Sequence, residues 1–496
     1  MSCRRVGVIV VAAVAACGWI VRGQAPPSFV VRGAQIADGT GAALVRADVR
    51  VEGDTIAAVG TVTPRPEEAV VDGAGLVLAP GFIDAHNHST DGLLKERAAI
   101  TQVSQGITTL AVGQDGSSPW PIAGYLQRLR TAPPAVNVVV LAGHATIRTQ
   151  VMGQDYKRRA RPAEVAQMRE LVDQAMAEGA FGLSSGLEYE VGTYSDIEEV
   201  VGMARAAAAR GGYYISHIRD EADLSMDAIR EAIAVGERAK LPVQITHLKL
   251  GTVGVWGKAN EVVALVEAAQ KRGVDVTADA YPYLAWQSTP RVLVPNKKYD
   301  DPASVTRGLD DIGGARNVQI TRWSAYPQYV GKRLDEMARG EGISDVEAYV
   351  RFAKDDDAGM IGHAMIEDDL KVFYRQPWVM VASDGGIGNN HPRGAGTFPR
   401  VLGRYVRDQR WLTLPDAIRK MTAMPAARMG LKDRGLLKPG MKADLVLFDP
   451  STVTDHSTFE NPRALSTGIA TVWVNGVVVW NGRAPGDATP GRVLTR

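Results

Sequence analysis

The chain of 496 residues predicts an α/β protein, a (β/α)8 TIM-like barrel with a small β-sandwich formed by both chain ends. Three observations predict it. From Ala79 onward, short apolar runs that end in polar residues alternate with stretches carrying apolar residues at three- and four-residue spacing. Strand-like segments with glycine turns fill Phe29 to Asp72 and return at Ala443 to Phe448 and Ile469 to Val479. Five of the eight histidines stand at or just past the ends of the apolar runs, which is where a barrel of this kind keeps its chemistry.

Taken in order, residues 1–25 read as a secretory signal peptide: Arg4-Arg5 precede an unbroken apolar stretch from Val6 to Cys17, and small residues follow. Export to the periplasm or the extracellular space is therefore expected. The apolar run reaches only Val21, with Trp19 inside it, which is short for a spanning helix. Val14-Ala15-Ala16-Cys17 is similar to a bacterial lipoprotein processing box, so a lipid anchor at Cys17 stands beside cleavage after Ala25, which Pro26 disfavours. Both readings stay open. Residues 26–78 and 435–496 are each too small to bury a core alone, so the two ends are expected to meet in one sandwich.

The barrel is expected over residues 79–434, with apolar runs ending at His88, Gly113, His144, Gly186, His217, His247, Asp279 and Asp384. Those are eight strands. Helical periodicity lies between them, clearest from Ala163 to Glu178, Ile197 to Arg210, Leu224 to Lys240 and Glu261 to Arg272. The stretch from Ser288 to Trp378 is too long for a simple connection and reads as an inserted lid or subdomain over the site.

Composition excludes some classes. Net charge is +1, with no basic excess to suggest nucleic acid. The only cysteines are Cys3 and Cys17, so the folded part has no disulfide and no sulfur ligand for a metal.

In His86-Asn87-His88 at the end of the first run, residues i and i+2 of an extended strand point to the same side, and one divalent metal can bind both imidazoles. His217 and His247 supply a second pair from the fifth and sixth strands, and Asp384 closes the ring from the eighth. Glu188 and Asp115 stand just past the fourth and second strands as further ligands. Four imidazoles and three carboxylates exceed what one zinc needs, so one or two zinc ions are expected, two adjacent ions being the more economical reading.

The segments Gly81-Phe82-Ile83-Asp84-Ala85-His86-Asn87-His88, Ser185-Gly186-Leu187-Glu188-Tyr189, Ser216-His217-Ile218-Arg219-Asp220-Glu221, Thr246-His247-Leu248-Lys249, Ala278-Asp279-Ala280-Tyr281-Pro282-Tyr283, Ser383-Asp384-Gly385 and Gly435-Leu436-Leu437-Lys438-Pro439-Gly440 carry a resemblance. From about Phe29 to Val479 the chain resembles the D-aminoacylase (N-acyl-D-amino-acid deacylase) branch of the amidohydrolase superfamily. One departure matters. Where better-known members of that branch place a cysteine ligand after the second strand, this chain has Asp115, a harder donor, so Glu188 is expected to serve as the bridge. The fourth strand ends Ser184-Ser185-Gly186 and offers no lysine for the carboxylated bridge of other superfamily members.

The resemblance implies hydrolysis of N-acyl-D-amino acids, or similar small carboxylate-bearing amides, by a zinc-activated hydroxide. Asp384 is expected to act as general base toward the water and then as general acid toward the leaving nitrogen. Lys249 and Tyr189 are similar in position to the family's substrate contacts, and His144, Arg148, Arg219, Tyr281, Tyr283 and Arg393 are further candidates for binding the carboxylate or carbonyl. The rival readings are a dipeptidase or cyclic-amide hydrolase on the same barrel, and a metal-free binding protein that kept the fold.

Overall fold

A computed structural model describes residues 28–294 and 296–496; the expected signal peptide, Cys17 and the cleavage position after Ala25 lie outside the described residues. The barrel strands are Phe82–Asp84, Ile107–Val112, Asn137–Val140 continuing as Ala142–Gly143, Gly182–Gly186, Tyr213–His217, Val243–Ile245, Val276–Ala280 and Val379–Val381. Paired neighbours in this series run parallel. The ring closes between the first and eighth strands through a parallel bridge of Asn87 with Gly385. There His88 N donates to Gly385 O at 2.7 Å and Asp384 N to His86 O at 2.9 Å.

Strand periodicity divides the side chains into two layers. Ile83, Ala111, Val139, Tyr213 and Ile215 fill the barrel interior. Their neighbours Phe82, Leu110, Val138, Val140 and Tyr214 pack outward against the helices. The helices begin where the sequence permits. Pro162 occupies the first turn of Pro162–Glu178, and the Asp196 carboxylate accepts from Glu199 N to start Ile197–Ala209.

The two chain ends share one eight-stranded sheet. They join where Val77–Pro80 pairs antiparallel with Leu445–Phe448, so this strand runs across the boundary expected at residue 78. Leu78, Leu445, Leu447 and Trp473 face a core shared with Val31, Val49 and Val51. Val77, Ala79, Val446 and Phe448 alternate to the other side and pack on the barrel's outer layer. The last residues leave the sheet: Val493 bridges Val138, and Leu494 N donates to Val138 O beside the third barrel strand.

After the seventh strand comes a subdomain with its own core. Its three-stranded sheet places Gly359–Gly362 between Trp286–Ser288 and Val318–Arg322, both antiparallel to it. Trp286, Val318, Ile320 and Met360 pack with residues of the helices Pro302–Asp311, Leu334–Glu341 and Asp345–Ala353. The helix Glu367–Tyr374, inside the expected insert, belongs to the barrel instead. It buries Leu370, Phe373 and Tyr374 in the barrel's outer core, and Tyr374 OH donates to Ala280 O at 2.9 Å.

Candidate metal centre

Above the carboxyl ends of the strands lies a cavity of about 520 Å³, and the side chains converging on its floor come from widely separated parts of the chain. The extended ladder through Asn87 keeps His86 and His88 on one side, with their Nε2 atoms 3.3 Å apart. Asp384 Oδ1 approaches His88 Nε2 at 3.1 Å and His86 Nε2 at 3.5 Å. Asp115 Oδ1 lies 3.3 Å from His86 Nε2. Across the floor His217 Nδ1 and His247 Nε2 are 2.9 Å apart. Asp115, His247 and Asp384 all have positive φ, at 54°, 32° and 48°. Non-glycine residues pay on the order of 1 kcal/mol or more for that conformation, and strain of this kind gathers where function needs an exact side-chain direction.

The donor set fits a metal. Ligand atoms of His86, Asp115, His247 and Asp384 lie within 4.8 Å of one another, and those of His217, Glu221 and His247 form a second group that shares His247. Asp115 Oδ1 is buried and has no hydrogen-bond partner. Nitrogen and carboxylate donors on this spacing suit zinc, with room for one ion or two adjacent ions.

Electrostatics within the protein already order the cluster. Burial raises the Asp384 carboxyl, but Arg393 and the imidazoles of His247 and His86 outweigh it and hold the group below the usual carboxylate range. Burial likewise opposes ionisation of Asp115, yet His86 and His88 hold it well below its ordinary value. Burial and Lys249 lower His247 toward the neutral ring that a metal needs, whereas the carboxylates around His86, His88 and His217 outweigh burial and raise those three, so metal binding there displaces protons.

Two carboxylates in the site escaped the sequence reading. Glu221 receives His247 Nδ1 at 3.0 Å and Lys249 Nζ at 2.5 Å. Asp279 accepts from the His247 backbone N–H at 2.8 Å, which fixes the chain at that ligand, and its Oδ1 stands 3.5 Å from His86 Nδ1. Their signal was present: Glu221 ends the acidic pair after His217, and Asp279 is an acid within an apolar strand.

Glu188 is not the expected bridge. Leu187 N bonds to His217 O at 3.1 Å, so the chain follows the fifth strand and delivers the Glu188 carboxylate to His217 Nε2 at 2.8 Å, outside both donor groups. Tyr189 OH lies 3.2 Å from His217 Nδ1, and Lys249 Nζ 3.0 Å from His247 Nδ1. Both line the cavity. Arg393 also lines it, pairing with Asp384 Oδ2 at 2.5 Å, while its buried Nε has no partner. Tyr281 lies beneath Arg393, whose guanidinium sits 4.7 Å over the ring.

The remaining substrate-contact expectations are corrected. His144 and Arg148 are fully buried and bound to Glu199, His144 at 2.8 Å, because His144 opens the helix His144–Met152 and turns into the packing around it. Arg219 is held by both carboxylate oxygens of Glu231, at 2.7 and 2.8 Å. Tyr283 OH bonds Asp455 at 3.1 Å and Ser457 at 3.2 Å, between barrel and C-terminal region. These four side chains are spent on structural partners, and none of them lines the cavity.

Comparison with known proteins gives a consistent picture. Residues 69–480 match the model of the amidohydrolase family. The chain is 37% identical to a D-aminoacylase of Alcaligenes xylosoxydans xylosoxydans, covering 95% of this chain and 98% of the relative. It is also 37% identical to an N-acyl-D-aspartate deacylase of the same organism, covering 95% of each. The crystal structure of an N-acyl-D-glutamate deacylase from Bordetella bronchiseptica, complexed with zinc and a phosphonate mimic of the tetrahedral intermediate, superimposes with a TM-score of 0.87 at 35% identity, covering 95% of this chain and all of that one.

Proposed function

The chain belongs to the amidohydrolase family, and from that premise we propose that it is a zinc-dependent deacylase that hydrolyses the amide bond of N-acyl-D-amino acids. The observation that carries this reading is the convergence of four imidazoles with Asp115 and Asp384 on one cavity floor, in a chain that aligns with D-aminoacylase along nearly its whole length. We assign zinc to His86, His88, His217, His247, Asp115 and Asp384. Decay to a metal-free binding protein is disfavoured because the donor set is complete.

Bound there, zinc supplies a Lewis acid that lowers the proton affinity of a water and polarises the amide carbonyl. Asp384 carries the proton. Its Oδ2 is occupied by Arg393, which leaves Oδ1, beside His86 and His88, to take a proton from the attacking water. As the new C–O bond forms, the same atom returns that proton to the amide nitrogen, the C–N bond breaks, and a carboxylic acid and a free amino acid leave. Arg393 and Lys249, both lining the cavity, offer positive charge to the substrate carboxylate. Tyr189 OH stands where it can donate to the carbonyl oxygen as charge develops there.

Turnover of N-acetyl-D- against N-acetyl-L-amino acids, with D-containing dipeptides and a cyclic amide alongside, tests the reading. Release of amino acid from the D-series, abolished by chelation and restored by zinc, is expected; exclusive turnover of dipeptides or the cyclic amide refutes it. For localisation we propose export, either as a free or a lipid-anchored enzyme. Its support is Arg4-Arg5 and the apolar stretch that follows.

A further inference from the structure

His247 belongs to both donor groups of the metal centre, and it can bind an ion only through a ring nitrogen that carries no hydrogen. Its Nε2 faces the centre, 2.9 Å from His217 Nδ1 and 3.9 Å from Asp115 Oδ2. Its Nδ1 faces an ion pair. Glu221 Oε1 and Lys249 Nζ each lie 3.0 Å from that nitrogen, and Lys249 Nζ stands 2.5 Å from Glu221 Oε2.

These two neighbours make opposite demands on the ring. A carboxylate can only accept, so Glu221 requires the hydrogen on Nδ1 and leaves the lone pair on Nε2, toward the metal. An ammonium can only donate, so Lys249 requires the lone pair on Nδ1 and places the hydrogen on Nε2, where it blocks the metal. The blocking form would be well satisfied: Thr246 Oγ1 stands 3.2 Å from Nε2 and, having given its own hydrogen to Ser216 O at 3.0 Å, can accept one. His217 faces no such contest. Glu188 Oε2 lies 2.8 Å from its Nε2, and the neighbour of its Nδ1 is the Tyr189 hydroxyl, which can donate or accept. The other Glu188 oxygen accepts from Glu221 N at 3.4 Å, which helps to fix the chain at Glu221.

We propose that Glu221 is a positioning residue that keeps the hydrogen of His247 on Nδ1 against the ammonium of Lys249, and so presents the Nε2 lone pair to zinc. This inference rests on the zinc assignment made for the deacylase reading. It also explains the acidic partner of Lys249: a cation that serves a substrate carboxylate can stand beside a metal ligand only if a carboxylate holds that ligand in its binding form. Carboxylates that orient metal-binding histidines commonly contribute about 10- to 100-fold to metal affinity.

The test reads zinc affinity by chelator competition on the full chain, in the parent, Glu221→Gln, Lys249→Met and the double variant. In the parent background Glu221→Gln is expected to weaken zinc by about 10- to 100-fold. In the Lys249→Met background the competing donor is gone, and the same substitution is expected to weaken zinc by less than about threefold. A role that is only structural, or only that of a nearby charge, would give the same factor in both backgrounds. Equal losses in the two backgrounds, or no loss in the parent background, overturn the inference and leave the deacylase reading intact. Should Glu221→Gln fail to fold, Glu221→Asp, which keeps the charge but draws the acceptor back from Nδ1, replaces it in both backgrounds under the same criteria. A parent chain that binds no zinc overturns the deacylase reading and this inference with it.

Discussion

Replacing Asp384 by Asn removes one negative charge and one proton-accepting oxygen while keeping size and shape. Asp384 has φ of 48°, a region that asparagine tolerates as well as aspartate, so the backbone contributes little to the outcome. Two effects remain, and the structure separates them. The first is chemical: without a proton carrier at Oδ1, kcat should fall by about 10²- to 10⁴-fold, equivalent to roughly 3–5 kcal/mol in the barrier. The second is structural: Arg393, only 4% exposed, loses the partner 2.5 Å away, and uncovering a buried charge costs about 3–5 kcal/mol. The zinc content should stay largely intact, because four imidazoles and Asp115 remain around the centre. Steady-state kinetics on an N-acetyl-D-amino acid, zinc per chain by plasma mass spectrometry and a thermal scan read these quantities separately. A folded, zinc-loaded variant that keeps more than a tenth of the parental kcat refutes the proton-carrier role. Loss of zinc together with activity, both recovered in excess zinc, refutes it too and leaves Asp384 as a ligand only.

Glu199→Gln should destabilise the protein by about 3–5 kcal/mol in denaturant titration, since it leaves buried Arg148 without its charged partner; KM should stay unchanged, and a large rise would restore His144 and Arg148 to the substrate site. Asp115→Cys supplies a softer thiolate and should tighten zinc by about tenfold or more in chelator competition, an expectation that equal affinities would defeat. Lys420 is buried against the carbonyls of Gln376 and Val379, and burial pushes its ammonium down from 10.5 to about 8. Because its folded pKa lies below its unfolded one, the unfolded chain binds more protons between those values, and stability gains up to about 3 kcal/mol as pH rises through that window. Lys420→Met should remove that rise, so the difference in unfolding free energy between parent and variant must change with pH; a flat difference would contradict the assignment.

The strands and their catalytic ends were legible because a barrel repeats one simple pattern. Each apolar run is buried on both sides, and a histidine at its end can be read from position alone. His86, His88, His217 and His247 illustrate this. His144 looks identical in sequence, yet the third strand ends at Gly143 and His144 is already the first residue of a helix, its ring turned to Glu199. One residue of offset moved it from the cavity into the packing. Glu221 and Asp279 were hidden for another reason. Their importance lies in bonds to rings and a lysine on neighbouring strands, and no local pattern records which loop carboxylate meets which imidazole. Arg219 makes the same point in reverse: it stands in a site motif, but Glu231 on the following helix claims two of its three nitrogens and Thr193 O accepts from the third.

The seam of the barrel explains how residues so far apart in the chain come to share a centre. Strands one and eight meet only after nearly 300 residues, and a buried carboxylate fastens them. Asp84 accepts from Ser383 N at 2.9 Å, from Ser383 Oγ at 2.5 Å and from Asn87 Nδ2 at 2.9 Å. Each bond flanks a residue of the centre: Ser383 precedes Asp384, and Asn87 separates His86 from His88. The contact that closes the fold is therefore also the one that sets the distance from the paired imidazoles to the proton carrier. This couples the positive φ of Asp384 to barrel closure, so the cost of the strained backbone is borne by the whole ring of strands rather than by zinc.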